Sequence, residues 1–76
     1  MSLSSLSVGS AARLVSIGGD RAFRCRLMEL GLLPGIEVRV TRRADIGGLM
    51  ELEVRGARLS VRQDEARLLT VDPHGV

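Results

Sequence analysis

The chain has 76 residues, 45% of them hydrophobic, with a single aromatic, Phe23. That length makes one small domain with an aliphatic core. Eleven basic residues, all arginine, stand against nine acidic ones for a net charge of +2, and the two signs are interleaved. This argues against a nucleic-acid module, which wants a basic run with aromatics for base stacking. No stretch approaches the ~18 continuous apolar residues of a membrane span. One cysteine, Cys25, excludes an internal disulfide framework and fits a reducing compartment. The start, Met1-Ser2-Leu3-Ser4-Ser5-Leu6, lacks the positive and apolar regions of a signal peptide, so the expected location is the cytoplasm.

Leu3 and Leu6 are three apart and predict a short helical turn. Ala12–Ile17 reads as a first strand, broken by Gly18-Gly19. Asp20 is a good N-cap, since its carboxylate can accept from the free N–H groups of a first helical turn. The helix is expected over Arg21–Leu30, with Phe23, Leu27 and Leu30 on one face and Cys25 and Met28 turned roughly the other way. Gly31 suits the left-handed position just past a helix. Pro34-Gly35 suits the centre of a type II turn.

Ile36–Thr41 alternates apolar and polar residues, the pattern of a half-buried strand. Arg42–Gly48 reads as a loop. Met50, Leu52 and Val54 share one face of a third strand, with Glu51, Glu53 and Arg55 on the other. Gly56-Ala57 is read as a type II′ hairpin, glycine first. Arg58–Arg62 returns as a fourth strand, Gln63–Ala66 is one short turn, and Leu68–Val71 is a last strand ended by Asp72-Pro73. This pattern predicts a mainly β fold, a small partly open barrel of about five strands with one inserted helix.

No residues assemble a catalytic centre. His74 lies near the end of the chain, without the neighbours of a nucleophilic triad. Asp72 and His74 fall short of the three or four ligands that a specific zinc site wants. Glu51 and Glu53 read as cross-strand partners for arginine. Neither a metal ligand set nor a cofactor site is expected, and the chain is expected not to be an enzyme. What remains is binding. Met28, Leu32 and Leu33, with Ile46 and Leu49, could line a groove where the helix and loop meet the strands.

The core segment Arg26-Leu27-Met28-Glu29-Leu30-Gly31-Leu32-Leu33-Pro34-Gly35 carries a resemblance. So do Leu6-Ser7-Val8-Gly9, Val54-Arg55-Gly56, Leu59-Ser60-Val61-Arg62 and Glu65-Ala66, which occur in the same order. Together they resemble the FeoA family, small cytosolic accessory proteins of bacterial ferrous-iron uptake. The resemblance implies an SH3-like barrel with an inserted helix, at residues 21–30 here. It also implies a partner, the membrane GTPase-transporter FeoB, met at its cytosolic side, so that the membrane is reached only through the partner. Two departures stand out: the loop 44–49 lacks prolines, and Ala57 stands where relatives carry a bulkier residue.

On this reading Met28, Leu32 and Leu33 are the apolar contacts, with Arg26 and Glu29 as polar neighbours. Arg26 has a second reading, in which it holds the helix to the barrel. The alternative function is direct transition-metal binding or metal-linked regulation, since the same fold forms the C-terminal domain of iron-dependent repressors. Pairing of two copies through an edge strand is compatible with either function.

Overall fold

The computed structural model describes residues 1–44 and 47–75. A short 3-10 turn at Leu3–Ser5 precedes β1 (Ala11–Ile17), α1 (Arg21–Glu29), β2 (Glu37–Arg43), β3 (Leu49–Val54) and β4 (Ala57–Arg62). The four-residue helix α2 (Gln63–Ala66), β5 (Leu69–Asp72) and a final 3-10 turn at Pro73–Gly75 complete the order. The strands form one antiparallel sheet in the order β4-β3-β2-β1-β5. The expected mainly β architecture with one inserted helix is therefore present.

Two register shifts curl the sheet, one between Leu14 and Ser16 where β1 meets β5, the other between Val40 and Arg42 where β2 meets β3. An extra residue on one strand bends it and increases its twist. The concave face then gathers Ala12, Leu14, Val38, Val40, Met50, Leu52, Val54, Val61, Leu69 and Val71 into the core. Leu3, Leu6 and Ala66 close one end of it, and Leu27, Leu32 and Ile36 also enter the core. The Arg43 guanidinium ties β2 to the N-terminal turn by donating to the carbonyls of Ser4 and Leu6.

The outer edge of β5 is covered by the N-terminus. The Met1 nitrogen donates to the Val71 carbonyl at 3.0 Å, the Val71 N–H donates to Met1 at 2.7 Å, and Ser2 bridges to Thr70. The outer edge of β4 has no such cover among the described residues.

The β3–β4 hairpin differs from expectation by one residue. Val54 pairs with Ala57, so the two-residue loop is Arg55-Gly56, with φ of 51° and 80°. Two positive φ values make a type I′ turn. The register explains the choice. A loop at Gly56-Ala57 would set Arg55 directly opposite Arg58, and like charges in that position repel. The observed pairing keeps the same inward face, with Leu52 opposite Leu59 and Met50 opposite Val61, and places Glu53 opposite Arg58. The attraction is gained while a non-glycine residue is held in the left-handed region.

The corner at the end of α1

Asp20 caps α1 as expected: its carboxylate accepts the Phe23 N–H at 2.8 Å. The helix ends with Leu30 as C-cap and Gly31 beyond it at φ +103°. The Leu32 N–H donates to the Leu27 carbonyl and the Gly31 N–H to the Met28 carbonyl, both at 3.0 Å. These two bonds define a Schellman motif, in which the residue two past the cap packs back on the last helical turn. The Pro34-Gly35 turn follows at once, closed by the Ile36 N–H on the Leu33 carbonyl at 3.1 Å, with Gly35 at φ +94°. Two consecutive hydrogen-bonded turns thus fix the path of residues 27–36.

This geometry corrects two sequence expectations. Leu32 is fully buried, so it belongs to the core and offers no surface to a partner. Leu30, placed by helical periodicity on the buried face, is instead 54% exposed. The cause is the same for both. The left-handed residue swings the chain back, and Leu32 takes the core position beside Leu27 that Leu30 would fill in a longer helix.

The other proposed contacts lie on the surface. Met28 is 43% and Leu33 41% exposed, and Leu30 joins them from the helix cap. The exposed apolar residues of the corner are therefore Met28, Leu30 and Leu33. Periodicity concealed Leu30; only recognition that the helix stops at Glu29 could have revealed it. Glu29 is exposed and makes no ion pair among the described residues. Arg26 has the holding geometry: its Nη2 meets Glu65 Oε2 of α2 at 2.6 Å, and its guanidinium lies 5.5 Å from the Phe23 ring centroid.

Leu49 does not join this corner. It lines a shallow groove of about 210 Å³ with Arg42, Ala44, Glu51 and Ser60, all from the sheet and its loop. Ile46, the remaining residue of the expected groove, lies outside the described residues. A second groove of about 430 Å³ is lined by Gly35, Ile36, Glu37, Arg39, Glu53, Arg55 and Gly56, with acids and arginines in equal number. Glu51 lies 3.6 Å from Arg58 and accepts the Thr41 hydroxyl at 3.0 Å, an ordinary structural setting for a strand carboxylate. Cys25 is exposed, and among the described residues no three of His, Cys, Asp and Glu converge as a metal site. No helix among the described residues is long and apolar enough to cross a membrane.

The model of the FeoA domain matches residues 1–73. The chain belongs to the FeoA family. Its fold is shared with a FeoA protein from Chlorobium tepidum, 39% identical, with a TM-score of 0.88 over 95% of this chain and 69% of that one. It is also shared with the FeoA of Stenotrophomonas maltophilia solved with zinc and described as a prokaryotic SH3 domain protein. That relative is 32% identical, with a TM-score of 0.82 over 99% of this chain and 93% of the other. A manganese-dependent transcriptional repressor, 16% identical, matches 95% of this chain over 40% of its own length at a TM-score of 0.86, which shows a common fold alone. The SH3-like barrel expected from the sequence is thus the fold of this FeoA chain.

Proposed function

We propose that this FeoA chain is a non-enzymatic accessory protein of ferrous-iron uptake that works in the cytoplasm as a protein-interaction module on FeoB. Membership of the family over residues 1–73 carries the reading. The S. maltophilia relative, described as a candidate activating factor of bacterial ferrous iron transport, supports it. In this reading the docking surface is the α1 corner, with Met28 and Leu33 as apolar anchors and Leu30 beside them. Glu29 supplies a free charge at the rim, and Arg26 supports the helix from behind through Glu65. A rigid, twice-turned segment suits the role because little conformational entropy is lost when a partner closes over it.

The test is a pull-down with FeoB in detergent, with and without nucleotide. Met28→Asp and Leu33→Asp are expected to abolish capture while leaving the domain folded. Capture that survives both substitutions would remove the corner from the interface. Failure of the unaltered chain to bind in any nucleotide state would remove FeoB as the partner.

A metal-linked role is the second reading, favoured by the zinc in the S. maltophilia protein. Anaerobic calorimetric titration with ferrous iron and with zinc separates the two, because a metal-binding domain releases or absorbs heat with no partner present.

A further inference from the structure

The two edges of the sheet are treated differently. β5 is covered by Met1 and Ser2, whereas among the described residues β4 has no neighbouring strand on its outer side. Val54 and Ala57 close the two-residue hairpin, so hydrogen-bonded pairs alternate from there with Leu52–Leu59 and Met50–Val61 facing inward. The N–H and C=O groups of Arg58, Ser60 and Arg62 therefore point away from β3. The Arg62 N–H is taken by Glu65 Oε1 at 3.0 Å, which ends the open stretch. The donors and acceptors of Arg58 and Ser60 have no partner among the described residues.

The charged side chains of β4 itself are both arginine. Arg58 and Arg62 flank Ser60 on the same face. Arg58 stands opposite Glu53 in the ladder and 3.6 Å from Glu51, and Arg62 lies 3.9 Å from Asp64, yet both arginine side chains stay about two-thirds or more exposed. A second copy pairing antiparallel about Ser60 would set Arg58 opposite Arg62 twice, and like charges directly opposite are destabilising. Nucleic acid has no backbone that matches alternating N–H and C=O groups at strand spacing. An extended polypeptide does, and the arginines select its charge.

We infer that the outer edge of β4 binds an acidic, extended segment of a protein partner by strand addition. The segment pairs its backbone with Arg58 and Ser60 and sets acidic side chains against Arg58 and Arg62. Opposite residues alternate faces, so the recognised pattern is acid-x-small-x-acid, with the small residue over Ser60. The pattern reads alike in both directions. It stands independently of the α1 corner, which lies on other residues.

The probe is a synthetic peptide, Val-Glu-Val-Ser-Val-Glu-Val, titrated into the whole chain and followed by amide NMR. The expected result is saturable binding with shifts at Arg58 and Ser60 and slowed hydrogen exchange at those two amides. Arg58→Glu together with Arg62→Glu should weaken binding at least tenfold. Ser60→Pro should also abolish it, because it removes an outward N–H, and an edge strand tolerates proline there; the spectrum of each variant reports whether the fold persists. Four outcomes would overturn the inference. One is absence of binding at millimolar peptide. A second is equal binding of the peptide with lysine in place of glutamate. A third is tighter binding of RNA than of the peptide at the same edge. The last is a concentration-dependent dimer in ultracentrifugation that protects Arg58 and Ser60 without peptide.

Discussion

Glu65 joins three elements through its two oxygens: Oε2 accepts from Arg26 of α1 at 2.6 Å, and Oε1 accepts the Arg62 N–H at the end of β4 at 3.0 Å. Arg26 and Glu65 are 39 positions apart in the chain. The contact matters because α1 has little else to hold it. Only Leu27 of that helix is buried, with Phe23 partly so. The corner carrying Met28, Leu30 and Leu33 is therefore oriented by one buried leucine, the Schellman turn and this ion pair.

Arg26→Ala is expected to cost about 0.2–1 kcal/mol, since its side chain is 60% exposed and water screens the pair. Glu65→Ala should cost more, about 1–2 kcal/mol, because it also leaves the Arg62 N–H without its cap. Urea unfolding of both variants and of the double variant measures the coupling. A cost of Arg26→Ala equal to that of Glu65→Ala would show that the Arg62 cap contributes nothing.

Leu32 and Leu33 are neighbours with opposite fates. Leu32→Ala should destabilise the domain by about 2–5 kcal/mol, the cost of deleting a buried leucine side chain in a packed core. Leu33→Ala should stay within about 0.5 kcal/mol, as surface substitutions do. Chemical denaturation of the pair decides it. Equal losses would mean that Leu33 is packed in solution and unavailable to a partner.

Arg55 occupies a left-handed position in the β3–β4 turn at φ 51°. Asparagine enters that region more easily than arginine, and Asn-Gly is the preferred pair for a type I′ loop. Arg55→Asn should raise stability by about 0.5–1 kcal/mol, seen as a higher thermal midpoint with the hairpin register unchanged. An unchanged midpoint would show that the turn holds no strain at this residue.

The strands, apart from the Arg42-Arg43 end of β2, which reads as loop, the Asp20 cap, the Gly31 stop and the Pro34-Gly35 turn could be read in the sequence, because each rests on local chemistry. Alternation marks a strand with one buried face, a carboxylate before a helix marks its start, and glycine marks positive φ. The hairpin loop was legible to within one residue; the choice between Arg55-Gly56 and Gly56-Ala57 depends on which charges face each other across two strands. The candidate site was legible only in part. Helical periodicity assigned Leu30 to the core and could not see that the chain turns back and delivers Leu32 there instead. Arg26 and Glu65, Ser2 and Thr70, and the edge of β4 that no described residue covers lie beyond any local pattern. Which residues meet across long stretches of chain, and which edge is left open, follows from how the bulged sheet closes around its aliphatic core.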